Sequence, residues 1–145
     1  MSQTTQNKLE EIAEIIGKDK TPQAFGCFID YELNKVRYCA TGGLAHSLGG
    51  GNMRILCATF YPKLSFNYIA KKLGITMEER RQHYQCPKCH HVRYLFQLIA
   101  HLNDYHLLSK SEIARILPLA TQTEKPRTHY TFTEDCSIIK NTFFK

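Results

Sequence analysis

Leu9, Ile12, Ala13 and Ile16 recur at helical spacing, which predicts an amphipathic helix over residues 5–16, with Thr4 or Thr5 as its N-cap and Gly17 as its stop. Beyond Thr21-Pro22 the pattern changes. The segments Phe25 to Tyr31 and Val36 to Cys39 are rich in aromatic and β-branched residues on either side of Asn34-Lys35, which reads as a β-hairpin. Gly42 to Leu48 then reads as a short helix running into a Gly49-Gly50-Gly51-Asn52 loop. The apolar run Ile55 to Tyr61 fits a buried strand or part of a helix, and at that length periodicity does not separate the two. A helix from Ser65 to Leu73 follows, ended by Gly74.

Two capping boxes punctuate the second half. Thr76-Met77-Glu78-Glu79 and Ser109-Lys110-Ser111-Glu112 each pair a hydroxyl N-cap with a glutamate three residues on, so each starts a helix. Ile113, Ile116 and Leu117 carry the second of these over about residues 110–118, with Pro118 in or after its last turn. From Thr121 the apolar positions thin out until Ile138, Ile139, Phe143 and Phe144. The pattern predicts an α+β fold in which a small β-hairpin or sheet packs with several short helices. Residues 1–120 form one globular domain, and residues 121–145 form a tail whose apolar end can dock back.

At 145 residues, 43% apolar and 11% aromatic, the chain is long enough to bury one core. Its apolar runs are far shorter than the roughly 20 residues of a membrane helix, and the N-terminus lacks a basic-then-apolar leader, so we expect a soluble, unexported chain. Six cysteines permit three disulfides, but only Cys86 and Cys89 have motif spacing, whereas Cys27, Cys39, Cys57 and Cys136 are scattered. That usage predicts a reducing, cytoplasmic setting.

The spacing Cys86-x2-Cys89-x11-His101-x4-His106 matches the two-Cys, two-His metal pattern. Two cysteines three apart turn both sulfurs toward one ion from a tight knuckle, which Pro87 favours. Two histidines five apart both reach it from a helix end whose last turn widens. Tyr84, Val92 and Leu98 stand where a zinc finger places its supporting apolar residues, given an inter-pair loop one residue shorter than usual. We therefore expect one structural Zn2+ held within a finger-like segment, residues 84–117, with His83, His90 and His91 as nearby substitutes. Four protein ligands leave no position for an activated water, which argues against hydrolytic zinc chemistry.

The net charge is +6, and the densest basic stretch contains Lys71, Lys72, Arg80, Arg81, Lys88 and Arg93. A face built on Lys71, Lys72, Arg80, Arg81 and Arg93 would meet an anionic partner, either nucleic acid or an acidic protein surface. Base reading by the finger helix itself is disfavoured, because its reading positions are Tyr94, Gln97 and Ala100 amid Leu95 and Phe96, too apolar for a wet groove. Tyr68 to Thr76 resembles the first helix and turn of a helix-turn-helix repressor, but Arg80 and His83 fall where the second helix needs apolar residues. Ser111 to Leu117 is expected to pack against the finger helix. The glycine cluster has neither the Lys-Ser/Thr ending of a phosphate loop nor the dinucleotide G-x-G-x-x-G order.

Pro22-Gln23-Ala24-Phe25-Gly26, Cys39-Ala40-Thr41-Gly42, Cys86-Pro87-x-Cys89, His101-Leu102-Asn103-Asp104-x-His106 and Ile113-Ala114-x-x-Leu117 together cover residues 22–117. This text resembles a group of small uncharacterised bacterial and phage proteins with a Cys-Pro-x-Cys pair and a His-Leu-Asn-Asp-x-His segment. The resemblance implies a shared zinc-containing fold and no particular activity. The residues favour a small non-enzymatic binding protein. A cysteine enzyme pairing Cys39 or Cys57 with His46 or another histidine is the first alternative, and a purely structural or oligomer-building chain the second.

Overall fold

The computed structural model describes residues 3–27, 29–32, 35–49, 62–123, 130–132 and 138–140. Helix α1, Gln3–Lys18, buries Leu9, Ile12, Ala13 and Ile16, the face that the spacing predicts. Gly17 lies inside α1 instead of ending it, and its role is contact: a Cβ there would stand 3.0 Å from the Ala114 Cβ. Ala114 belongs to α6, Lys110–Ile116, which packs most extensively on α1 and only secondarily on the finger helix. A short 3-10 turn, Leu117–Leu119, with Pro118 inside it, extends α6 along α1.

Strands β1, Ile29–Glu32, and β2, Lys35–Tyr38, form the expected antiparallel hairpin, in register from Ile29 opposite Tyr38 to Glu32 opposite Lys35. The preceding segment lies along β2, where Tyr38 N–H donates to Pro22 O at 2.8 Å and Ala24 N–H donates to Tyr38 O at 3.1 Å. Helix α2, Ala40–Ser47, follows at once, with the Cys39 sulfur accepting from Gly42 N–H at its N-cap.

Helix α3, Pro62–Leu73, starts three residues earlier than Ser65, because proline is well suited to a first helical position. Gly74, at φ 66°, ends it in the left-handed conformation that glycine adopts without strain. Helix α4, Met77–Arg80, is a single turn closed by the Thr76–Glu79 capping box. Because it runs straight into strand β3, His83–Gln85, no second helix of a helix-turn-helix forms here.

Strands β3 and β4, Val92–Tyr94, form a hairpin, and the ten-residue helix α5, Leu95–Asp104, leaves from its end. A third strand, β5, Thr121–Thr123, pairs antiparallel with β3 and places Gln122 opposite Tyr84. The sheet order is β4-β3-β5. Tyr130–Phe132 (β6) and Ile138–Lys140 (β7) pair as a further hairpin within the expected tail.

The core joins α1, α2, α3, α5 and α6, and the Phe66 and Phe96 rings stack at 5.0 Å within it. Burying a large apolar side chain is worth about 1.5–3 kcal/mol. Beside this apolar core lies one buried ion pair, Lys110 Nζ to Asp19 Oδ2 at 2.7 Å, with side chains 7% and 3% exposed. Lys110 also donates to Thr21 O and Oγ1, and a Cβ at Gly43 would overlap the Asp19 carboxylate. Burial works to raise the Asp19 carboxyl, but the hydrogen bonds from Lys110 and Thr21 and the Lys110 charge hold it below its usual value. Among the described residues, no helix is long and apolar enough to cross a membrane. The expectations for Ile55 to Tyr61, Gly50 to Asn52, Cys57, Cys136, Phe143 and Phe144 lie outside the described residues.

Candidate metal centre

Strand β3 delivers Cys86 at the mouth of its hairpin, and the turn to β4 is tied by three amides. Cys86 N–H donates to His91 O at 2.8 Å, His90 N–H to Cys86 O at 2.9 Å, and Lys88 N–H approaches the Cys86 sulfur at 3.4 Å. The turn closes with His90 at φ 65°, a left-handed conformation that disfavours a side chain. Cys86 ends fully buried and Cys89 half-buried, with both sulfurs turned inward.

Helix α5 brings the histidines. His101 lies in its last turn, and both Tyr105 N–H (3.0 Å) and His106 N–H (3.2 Å) donate to His101 O. The second bond spans five residues, so the helix end widens as the histidine spacing requires. Leu107, at φ 55°, then reverses the chain, and Leu108 N–H closes onto Leu102 O at 3.1 Å, so the helix ends on a left-handed residue other than glycine.

The ligand atoms of Cys86, Cys89, His101 and His106 all lie within 4.8 Å of one another. Cys89 Sγ is 3.2 Å from His101 Nε2, and Cys86 Sγ is 3.5 Å from His106 Nε2. A tetrahedral ion about 2.3 Å from sulfur and about 2.0 Å from nitrogen keeps its donors roughly 3.3–3.8 Å apart, so the four residues can hold one metal ion. Burial, then the charges of Arg93, His106 and His91, push His101 down to about 4, leaving its imidazole neutral and able to ligate at neutral pH. Burial likewise lowers His106, with Lys88 and His91 adding to the effect. Burial raises the Cys89 thiol, and the adjacent Cys86 reinforces this against the His91 amide and the Arg93 charge. A cation beside Cys89 would offset that cost by stabilising its thiolate. The Tyr105 ring stacks on His101 at 4.9 Å and meets His106 edge-on at 5.0 Å, which fixes both ligand rings.

Asn103, between the two histidines, escaped sequence reasoning. It is fully buried. Its Oδ1 accepts from Ala40 N–H at 3.0 Å and from Gln23 Nε2 at 2.8 Å, while its Nδ2 donates to Ala24 O at 2.9 Å. Asp104 accepts from Gly26 N–H at 2.8 Å. One side chain thereby joins the ligand helix to the segment before the β1–β2 hairpin and to the start of α2. The available signal was an amide residue inside an otherwise apolar helix face.

Of the supporting apolar positions, Tyr84 and Leu98 are buried, with 1% and 0% exposure, and Val92 is half-buried. Burial, aided by the Glu79 charge, raises the Tyr84 phenol to about 12. His83, His90 and His91 fall outside the ligand cluster; His83 packs on Tyr94 at 4.7 Å, and His90 and His91 are exposed. Gln97, at a base-reading position of a finger, is 3% exposed and turned into the domain.

The basic residues differ in their exposure. Arg80 is a correction: it is 4% exposed, donates to Asn67 Oδ1 at 2.7 Å and lies 5.5 Å from the Phe96 ring centroid. The single turn of α4 carries it inward to cover the Phe96 ring, in the place where a helix-turn-helix would have set an apolar residue. Arg93 is half-buried on β4, donates to Val92 O at 2.9 Å and feels the charges of Cys89 and Cys86. Lys71, Lys72 and Arg81 are exposed and form no ion pair with a described residue, and Lys72 Nζ lies 5.6 Å over the Tyr68 ring.

Cys39, weighed as a nucleophile, is 5% exposed with its sulfur engaged by Gly42 N–H, and the exposed His46 stacks on Tyr38 at 4.7 Å. No family model matches the chain, and neither the curated proteins nor the solved structures give a match.

Proposed function

We propose that this protein is a non-enzymatic binding module stapled by one structural zinc ion. The convergence of two sulfurs and two imidazole nitrogens within 4.8 Å carries the reading. Mixed thiolate and imidazole donors suit zinc, and a closed set of four matches structural sites. The thiolates such a site needs agree with a reducing, cytoplasmic setting. The reading includes the resemblance noted above, with its His-Leu-Asn-Asp-x-His segment taken as ligands and anchor in one helix end.

The binding surface draws on the exposed Lys71, Lys72 and Arg81, without the buried Arg80. Its partner is anionic, nucleic acid or an acidic protein surface. The test uses zinc-loaded protein, and elemental analysis should give about one zinc per chain. A 20-residue single-stranded RNA, a duplex DNA and a polyglutamate peptide are then titrated against wild type and a Lys71→Glu, Lys72→Glu, Arg81→Glu variant. Nucleic acid binding should lose about 0.9 log unit per phosphate contact for each tenfold rise in salt on a duplex, and slightly less on a single strand. Protein with well under one zinc, or a triple variant that binds every probe as wild type does, overturns the corresponding half of the reading.

A further inference from the structure

Helices α4 and α6 open with complete capping boxes, in which Glu79 and Glu112, each the third residue of its helix, reach back to the N-cap amide. Helix α5 opens differently. Its N-cap, Tyr94, makes no side-chain cap bond, and its first turn, Leu95-Phe96-Gln97, holds no acid. The amide groups of a first turn have no acceptor within the helix, and the helix dipole adds partial positive charge there.

Gln97 occupies in α5 the position from which Glu79 and Glu112 close their own helices. Helical Cα–Cβ bonds tilt toward the N-terminus, so its side chain leaves the backbone in the direction of this open turn. The residue is 3% exposed, yet neither its Nε2 nor its Oε1 hydrogen-bonds a described residue. A buried amide without partners is destabilising, and native proteins rarely retain one without a use. The Arg80 guanidinium lies 5.5 Å from the ring centroid of Phe96, the second helical residue.

We propose that the first turn of α5, the Gln97 carboxamide and the Arg80 guanidinium form a binding site for a small oxyanion of the phosphate or sulfate kind. Backbone amides, a side-chain NH2 and a guanidinium are the donors that such an anion takes at helix N-termini. Leu95, Phe96, Gln97 and Arg80 are each at most 4% exposed, which excludes a polymer backbone and sets this site apart from the exposed lysines. The inference does not rest on the proposed partner of that surface.

Full-length, zinc-loaded protein is titrated with sodium phosphate and then sodium sulfate, against sodium chloride at matched ionic strength, following Tm and amide NMR shifts. The expected result is a saturable rise in Tm with phosphate, with shifts centred on Leu95, Phe96 and the Gln97 side-chain NH2. Gln97→Leu, close in volume, should fold and weaken this response at least tenfold. Arg80→Met should weaken it too, but it risks the fold, so Gln97→Leu decides. If Gln97 is only an unsatisfied group, Gln97→Leu raises Tm equally in all three salts and phosphate has no saturable effect, which overturns the proposal. Shifts confined to Lys71, Lys72 and Arg81 also overturn it.

Discussion

The four clustered Cys and His residues and the five basic residues overlap in the chain, between residues 71 and 106, yet the fold treats them in opposite ways. Cys86, Cys89, His101 and His106 converge on one point, while the cations disperse: Arg80 to the core, Arg93 to the sulfur side of the hairpin, and Lys71, Lys72 and Arg81 to solvent. Ligand spacing is a geometric demand that only a few local structures meet, so it survives folding. A count of charges makes no such demand, and an arginine stem covers an aromatic ring as readily as it faces water.

Removing a ligand breaks the convergent set most severely. Cys86→Ser or His101→Ala should abolish stoichiometric metal and unfold the region from Tyr84 to Leu108, and with it most of the domain. Structural zinc binding in finger peptides is worth about 10–16 kcal/mol, as much as the whole stability of a typical domain. Circular dichroism melts with and without a chelator check this, and an unchanged Tm would show the cluster to be dispensable.

Acid tests the same cluster less drastically. His101 is depressed to about 4, so between its ordinary value of 6.5 and that value the unfolded chain binds the extra proton. Stability is therefore fully present above about 6.5 and is lost as pH falls toward about 4, by on the order of 3 kcal/mol from this group alone. Urea melts of zinc-loaded protein from pH 7.5 to 4.5 should show a loss at least that large, because protonating His101 also releases the ion, and a flat pH profile would count against the assignment.

The dispersed set is sharpened by paired arginine variants. Arg80→Met should cost about 2–3 kcal/mol, by leaving Asn67 without its partner and disturbing the Phe96 contact, whereas Arg81→Met should stay within about 0.5 kcal/mol. Equal effects in denaturant melts would return Arg80 to the surface. A small effect of opposite sign belongs to the knuckle: His90→Gly relieves the left-handed conformation and should stabilise the protein by about 0.5–1 kcal/mol without changing metal content.

Much of the site was legible because it depends on near neighbours. The ligand spacing, both capping boxes and the Gly74 stop follow from groups within a few residues. The missed features depend on distant partners. Strand β5 reads Thr-Gln-Thr and owes its existence to the free edge of β3, so no apolar alternation announces it. Gly17 resembles a helix stop until Ala114 of α6 is brought against it. Burial of Arg80 follows from the placement of Phe96, which no window around residue 80 contains.

Asn103 gives the metal centre a reach beyond its own loop. Its bonds to Ala24, Gln23 and Ala40 run from the turn that carries both histidines to residues more than sixty positions earlier in the chain. Local openings around the ligands and around the start of α2 cannot then be independent events, and the two regions should exchange their amide hydrogens as one cooperative unit.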